Sequence, residues 1–415
     1  MDLEPKDSPM TSTLSTASPT RRRHSVVAPA LHVSDAAAAT VFRIVRRRGP
    51  LARDEITAAS ALSTATVNRQ VSALIAAGLL RERADLTVSG AIGRPRVPVE
   101  VNDKPFLTLG VHIGAATTSI VATDLRGRTL DAVETATPRG DQSTALAALA
   151  GSARRYLSRW SRRRPLWVGV AIGGVVDSAT GRVDHPRLGW RQAPVGPALA
   201  DALDLPVSVA SHVDAMAGAE LLLGRRQPAS SSSTSLYVYA RETVGYALTI
   251  GGRVHTPVAG PGTIAGLPVV SEPLGGTGRL ETTVSDAAVI AAARRLQLVP
   301  AGGNAPLTAL LRAARGGDRA AADLLAERAR VLGEAVALLR DLLNPDDLVV
   351  GGQAFTEHPE GMARLQQAFA ERSMLPPRLI RITAFGNKVQ EAGAGVVSLS
   401  GLYADPLAAI RRTAA

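Results

Sequence analysis

The chain has 415 residues, 46% of them hydrophobic and only 3% aromatic. This length predicts two or three domains, whose cores must be built mainly from Ala, Val, Leu and Ile. It contains no cysteine, which excludes disulfides, thiolate catalysis and a cysteine-rich zinc site. The formal charge is +11, but arginine enrichment also accompanies a G+C-rich genome, so the position of the charge matters more than its size.

Residues 1–33 differ in composition from the rest of the chain. They are rich in Ser, Thr and Pro, include the run Arg21-Arg22-Arg23 and lack the apolar segment of a signal peptide. No apolar run in the chain approaches the roughly 18 residues that a membrane span needs. We therefore expect a disordered basic arm on a cytoplasmic, nucleoid-associated protein with no membrane partner.

The segment after this arm has the apolar spacing of a small helical domain. Ser34 is a candidate N-cap for a first helix that ends at Gly49, and a second short helix fits residues 53–59. Ser63 is the predicted N-cap of a third helix, which ends at Gly78. Two short extended stretches follow, so the pattern predicts a winged helix-turn-helix.

The third helix is the candidate DNA-reading element. With its apolar side chains turned inward, Thr64, Asn68 and Arg69 fall on the other face, where Asn can pair with adenine and Arg with guanine. Ser63 and the helix N-terminus can hold a phosphate. Residues 36–96 contain ten arginines against four acidic residues, which indicates a polyanionic partner. The alternative is an ordinary solvated basic surface.

A candidate wing follows the third helix. Arg81 and Arg83 lie on one side of it, and Arg94 and Arg96 flank a proline on the other. Proline holds this segment extended, and two guanidinium groups fit the negative potential of a narrow A·T minor groove. The alternative interpretation of the segment is a plain interdomain linker.

From Phe106 onward the pattern alternates between strands and helices. Strands are predicted at 107–113 and 118–124, and a similar pair recurs about 130 residues later at 236–240 and 245–250. Helices are predicted at 144–160, 286–296 and 319–343. Two related α/β halves with a cleft between them are the simplest architecture for this order.

The chain resembles the ROK family, named for repressors, open reading frames and kinases, over about residues 36–402. The resemblance is carried by the helix-turn-helix run 51–80 and by the motifs at 169–177, 188–190, 251–253 and 344–352. It implies an actin-like, two-lobed ATPase fold with a sugar in the cleft, and homo-oligomerisation through that domain. The predicted organisation is an arm at 1–33, a winged helix-turn-helix at 34–103 and a kinase-like domain at 104–415, with lobes at 104–215 plus the C-terminal helix and at 216–390.

The same resemblance implies that the kinase chemistry has been lost. Kinases of the family end the first strand in an Asp, and that position aligns with His112. Their Gly-rich second phosphate loop aligns with residues 241–245, where Glu242 would repel phosphate. Their catalytic Asn-Asp pair aligns with Ser211 and His212.

Their sugar and zinc segments align with residues 263–266 and 274–281, where Glu281 alone keeps a sugar-contacting residue type. We therefore expect no catalytic residues, no metal and no cofactor. A candidate effector cleft remains, with Ser211, His212, Asp214 and Glu281 as its residues.

Three hypotheses follow from these patterns. The first is a sequence-specific DNA-binding regulator, favoured as a repressor, whose inactive kinase-like domain dimerises and senses a small, sugar-like molecule. It would bind an inverted repeat in double-stranded DNA as a homodimer or a higher homo-oligomer. The second is an ATP-dependent sugar kinase with a DNA-binding appendage. The third is a nucleoid-type DNA binder that has no effector.

Overall fold

The computed structural model describes residues 25–87, 96–224, 233–300, 307–376 and 378–414. Within these ranges the N-terminal domain has three helices and a two-stranded hairpin. In chain order they are α1 Ala37–Arg48, α2 Arg53–Ala59, α3 Thr64–Ala76, β1 Leu80–Glu82 and β2 Val99–Val101. Strands β1 and β2 pair antiparallel, so Leu80 lies opposite Val101. This arrangement is the predicted winged helix-turn-helix.

The apolar positions at helical spacing meet in one core, which explains why the three helices form. Phe42, Ile56, Val67, Val71 and Leu74 are all almost fully buried. The predicted cap of α1 is wrong, because Ala36 occupies the N-cap position. Ser34 lies two residues earlier, where its carbonyl accepts a hydrogen bond from the Arg43 guanidinium at 2.8 Å.

The first lobe of the following domain is built on a mixed sheet. Its elements in chain order are β3 Phe106–Ile113, β4 Thr117–Thr123, β5 Thr129–Ala136, α4 Gln142–Ser158, β6 Arg164–Ile172, β7 Val175–Asp177, β8 Arg182–His185, β9 Trp190–Ala193, α5 Val195–Leu203, β10 Val207–Ser211 and α6 His212–Leu222. The strand order is β10-β6-β3-β4-β5, with β3, β6 and β10 parallel. Helix α6 follows β10 directly, so it starts at the carboxyl end of an edge strand of this sheet.

The second lobe repeats this plan, as the recurrence of the strand pair predicts. Its elements are β11 Thr234–Ala240, β12 Val244–Ile250, β13 Arg253–Val254, β14 Gly262–Thr263, β15 Pro268–Ser271, β16 Gly276–Arg279, α7 Leu280–Val284, α8 Asp286–Arg295, α9 Leu307–Arg315, α10 Arg319–Leu343, β17 Asp347–Gly351, α11 Gln353–Thr356, α12 Met362–Arg372 and β18 Ile380–Ile382. The main sheet runs β13-β12-β11-β17-β18, with β14 paired to β12.

Two C-terminal helices, α13 Val389–Ala404 and α14 Pro406–Ala414, return the chain to the first lobe. Helix α13 packs against β3, β6 and α6, and most of its residues are buried. In the described ranges no single helix has the length and apolarity to cross a membrane, although 386–404 and 406–413, bent by 106° at their junction, satisfy that test as a pair.

Residues 25–33 cross both lobes, so the expected disorder of the arm is wrong for this part of it. Val26 forms a parallel bridge with Val207 in the first lobe. The Leu31 carbonyl accepts a hydrogen bond from the backbone N–H of Val254 in the second lobe at 3.0 Å, and the Leu31 side chain is 4% exposed. Backbone pairing and one buried leucine order a segment that its composition does not mark as structured. Residues 1–24 lie outside the described residues.

The core of the N-terminal domain provides a test of its packing. Leu74→Ala should lower the free energy of unfolding of this domain by about 2–5 kcal/mol, because it removes a fully buried side chain and leaves a cavity. Urea denaturation followed by circular dichroism measures the change. Leu86→Ala is the matched control, because Leu86 is 44% exposed and its truncation should cost about 0.5 kcal/mol or less. Equal losses in the two variants would contradict the packing.

Candidate nucleic-acid interface and interlobe cavity

Helix α3 presents the predicted DNA-reading side chains on one exposed face. The Ser63 hydroxyl accepts a hydrogen bond from the Thr66 backbone N–H at 3.3 Å and so caps the helix as predicted. Thr64, Asn68 and Arg69 are exposed. The Arg69 guanidinium forms no hydrogen bond or ion pair with any other described residue. Its donors are therefore available to an external acceptor.

Arg53 braces this helix, a role that the sequence analysis did not assign. Its guanidinium donates to the Asn68 carbonyl at 3.2 Å and to the Ser72 hydroxyl at 3.3 Å. It also lies 3.5 Å from the Glu82 carboxylate. Arg53 thus ties the first turn of α2 to the middle of α3 and to the hairpin. In the sequence, Arg53 stands directly before Asp54 and Glu55, and this local pattern does not indicate a contact with α3.

The wing arginines differ from the expectation in their partners. Arg81 forms an ion pair with Glu100 at 2.5 Å, and Arg83 pairs with Asp85 at 2.6 Å and with Glu100 at 3.0 Å. Glu100 is buried at 7% exposure, and a buried carboxylate needs such partners. Arg81 and Arg83 therefore stabilise the hairpin, and their contact with DNA stays a prediction.

The remaining wing residues are Arg94 and Arg96. Arg94 lies outside the described residues. Arg96 is exposed and lies 2.7 Å from the Asp54 carboxylate. An exposed pair of this kind contributes at most about 1 kcal/mol. Arg96 could therefore exchange its contact with Asp54 for a contact with a DNA phosphate at little cost in free energy.

A cavity of about 340 Å³ lies between the two lobes. It collects the segments that the family resemblance aligned with phosphate and sugar sites, although they are far apart in the chain. The β3–β4 turn, residues 241–245, His212 and Glu281 all line it. The sequence analysis missed several of its side chains, which are His185, Arg187, Tyr239 and Gln390.

Two stacked histidines occupy the floor of the interlobe cavity. The His112 and His212 rings are 6.2 Å apart between centroids, with an interplanar angle of 10°. Burial lowers the pKa of His112 to about 3 and that of His212 to about 4, so both rings are neutral at pH 7. The Nε2 atom of His112 is buried without a hydrogen-bond partner among the described residues. The kinase position for a metal-linked carboxylate thus holds an uncharged ring.

Ser211 and Asp214 do not line this cavity, which corrects the predicted cleft. Helix α6 begins at His212, so Ser211 is its N-cap and accepts a hydrogen bond from the Asp214 backbone N–H at 3.2 Å. Both side chains are 5% exposed and face the core. Burial raises the pKa of Asp214 to about 6.

Glu281 closes one side of the interlobe cavity by joining the lobes. One carboxylate oxygen accepts a hydrogen bond from the Arg187 guanidinium at 2.8 Å, and the other accepts one from the Val244 backbone N–H at 3.1 Å. Arg187 belongs to the first lobe and Glu281 to the second. The resemblance identified Glu281, whereas Arg187 lies in a short 3-10 turn with no recognisable pattern.

No group of three or more His, Cys, Asp or Glu side chains is arranged to hold a metal within the described ranges. The segment that aligns with the family's zinc loop has Leu274 buried in the apolar core of the second lobe. Arg279 is the residue immediately before α7. Neither an aliphatic nor a guanidinium side chain is a zinc ligand.

Comparison with family models settles the relationship. The model described as the ROK family matches residues 108–396. The chain belongs to the ROK family. Proteins similar to this ROK-family chain include a Mycobacterium tuberculosis protein named as a transcriptional regulator, which is 72% identical over 95% of this chain and 92% of its own length. The Escherichia coli DNA-binding transcriptional dual regulator NagC is 26% identical over 76% of this chain and 80% of its own length.

Solved structures confirm the fold. A ROK-family transcriptional regulator described as a homolog of the Escherichia coli MLC protein superimposes with a TM-score of 0.74 and 24% identity, over 90% of this chain and 98% of the other. A ROK-family glucokinase from Streptomyces griseus in complex with glucose and AMPPNP gives a TM-score of 0.61 at 24% identity, over 70% of this chain and 99% of the other. The kinase-like domain thus has the actin-like fold expected from the resemblance.

The buried carboxyl of Asp214 leads to a pH-dependent prediction. Its pKa is raised above the ordinary 3.8, so the unfolded chain releases this proton at lower pH than the folded one. Wild-type stability should therefore fall relative to Asp214→Asn as pH rises from about 4 to 6, by about 3 kcal/mol, and then level off. Urea denaturation at pH values from 4 to 7.5 measures this difference. Exposed Asp201 supplies the control Asp201→Asn, and a difference independent of pH for Asp214→Asn would refute the assignment.

Proposed function

We propose that this ROK-family chain is a sequence-specific DNA-binding transcriptional regulator that acts as a repressor. The observation that carries the proposal is the exposed face of α3, on which Thr64, Asn68 and the unpaired Arg69 lie together behind a capped N-terminus. Such a face suits insertion into the major groove. The names of the mycobacterial relative and of NagC support the same function.

A homodimer, or a higher homo-oligomer formed from such dimers, would present two α3 helices to an inverted repeat in double-stranded DNA. Each half-site would combine a core read by Thr64, Asn68 and Arg69 with flanking A·T pairs met by Arg94 and Arg96. Ser63 and the N-terminus of α3 would contact a backbone phosphate. This function places the protein in the cytoplasm, in association with the nucleoid.

The kinase-like domain is proposed to have no catalytic activity. A phosphoryl transfer site needs a metal-linked carboxylate and a carboxylate base beside the sugar hydroxyl. The aligned positions hold His112 and His212, both neutral at pH 7 because burial lowers the pKa of each. Glu242 lines the position of the second phosphate loop. The domain would instead form the oligomer and bind a small effector in the interlobe cavity.

A small, uncharged and hydroxyl-rich molecule of sugar type fits the chemistry of this cavity. Its lining has neutral acceptors on the two histidines and paired charges at Arg187 and Glu281. Arg187 and Glu281 already pair with each other, so a ligand needs no net charge to contact them. The nucleoid-type binder without an effector remains the competing hypothesis, and a thermal-stability screen against sugars separates the two.

The DNA-reading role of Arg69 can be tested by substitution. Duplexes selected from a random pool by the wild-type protein provide the probe, and fluorescence anisotropy measures binding to them and to single-base variants. Arg69→Ala should lose about 1–3 kcal/mol against the preferred sequence and relax preference at one base position, because its paired hydrogen bonds to guanine are removed.

The control for Arg69→Ala is Arg162→Ala, because Arg162 is exposed in the kinase-like domain. This substitution removes the same charge from a different domain. It should leave base preference unchanged. A selection that recovers no consensus, or an Arg69→Ala variant with unaltered base preference, would contradict the docking of α3 in the major groove.

The absence of phosphotransfer can be tested with purified protein, magnesium, ATP and a panel of hexoses and N-acetylhexosamines. We expect no sugar phosphate above the protein-free background. The neutral rings of His112 and His212 stand at the positions where kinases of the family have ionised carboxylates. A bacterial glucokinase in the same assay shows that the conditions support turnover. Phosphorylation by the wild type that His212→Ala abolishes would restore the kinase hypothesis.

A further inference from the structure

A second cavity, of about 1020 Å³, lies between the DNA-binding domain and the kinase-like domain. We call it the interdomain cleft. One wall is the polar face of α1, and a second is the turn between α2 and α3, residues 59–62. The third wall comes from the kinase-like domain and consists of Arg126, Leu223 and Gly224. Its volume is about three times that of the interlobe cavity.

The lining of the interdomain cleft is strongly basic. Helix α1 contributes four arginines in its last two turns, which are Arg43, Arg46, Arg47 and Arg48. Asp35 is the one acidic residue among the described residues of the lining. A fifth arginine, Arg126, is compensated by Asp103 at 3.0 Å. None of the four arginines of α1 forms an ion pair with a described residue.

Neutral carbonyl groups hold three of these arginines in place. Arg43 donates to the Ser34 carbonyl at 2.8 Å, Arg46 to the Leu222 carbonyl at 2.7 Å, and Arg47 to the Gly224 carbonyl at 3.3 Å. These bonds use few of the five donors on each guanidinium. The Nε atom of Arg46 is buried without a partner among the described residues.

The cluster is electrostatically unfavourable as it stands. Arg43, Arg46 and Arg47 are three and four residues apart, so their side chains are neighbours on one helix face, where like charges destabilise a helix. Burial and the neighbouring arginines lower the pKa of Arg47, and burial lowers that of Arg43. A bound anion would satisfy the free donors and reduce this repulsion.

We propose that the interdomain cleft is a binding site for a small anion that carries phosphate groups. Planar guanidinium forks match phosphate oxygens with paired hydrogen bonds, and α1 directs several of them into one cavity. The volume is sufficient for a phosphorylated metabolite. Because the lining belongs to both domains, the anion stabilises their docked arrangement. This site is separate from the interlobe cavity and does not depend on the function proposed above.

Inorganic pyrophosphate is the probe for the first test, which uses the full chain without DNA. Thermal unfolding is followed with pyrophosphate and with sodium chloride at matched ionic strength. Pyrophosphate should raise the melting temperature of the wild type and of the control Arg312→Gln, whose side chain is exposed on α9. The double variant Arg43→Gln/Arg47→Gln should bind pyrophosphate about tenfold to a hundredfold more weakly.

A second variant covers the case in which the double variant folds poorly. Asp35→Asn removes the acidic residue of the lining and should bind pyrophosphate about two- to fivefold more tightly than the wild type. No response of the wild type, or equal responses of the wild type and the double variant, would overturn the proposal. Arginine-dependent binding of a DNA duplex without any response to pyrophosphate would also overturn it, and would assign these arginines to the DNA backbone.

Discussion

The contact of Arg46 with the kinase-like domain sets the position of the DNA-binding domain. Its guanidinium lies 4.2 Å from the centroid of the Tyr403 ring on α13 and donates to the carbonyls of Leu222 and Arg126. A cation over an aromatic face gains most when it is shielded from water. Helix α1 is therefore attached to α6 and α13, which are central helices of the kinase-like domain.

Helix α6 links this attachment to the interlobe cavity, because its first turn lines the cavity and its last turn contacts α1. His212 at its first turn faces the interlobe cavity, and the Leu222 carbonyl at its last turn accepts the bond from Arg46. Nearly all of its residues are buried, so close packing allows it little independent movement. The same eleven-residue helix thus contacts the cavity and the DNA-binding domain, and residues 25–33 add a second connection across both lobes.

The apolar pattern of the sequence predicted much of this architecture, since burial at helical or strand spacing determines the elements. It located α3 and its Ser63 cap, and the family resemblance located His112, His212 and Glu281 at one cavity. It did not predict Arg187 or Gln390, which meet the cavity only through tertiary packing. The inward direction of Asp214 depends on α6 starting at His212, which the spacing alone does not specify.

Genome-wide mapping of the sites that the protein occupies in its own cell tests the central claim most directly. The account predicts a limited set of sites from which one inverted repeat can be extracted, with half-sites about one or two helical turns apart. Discrete sites of this kind require sequence reading by two related α3 helices. Occupancy spread along the chromosome without a shared motif would contradict the account and favour a nucleoid-type binder.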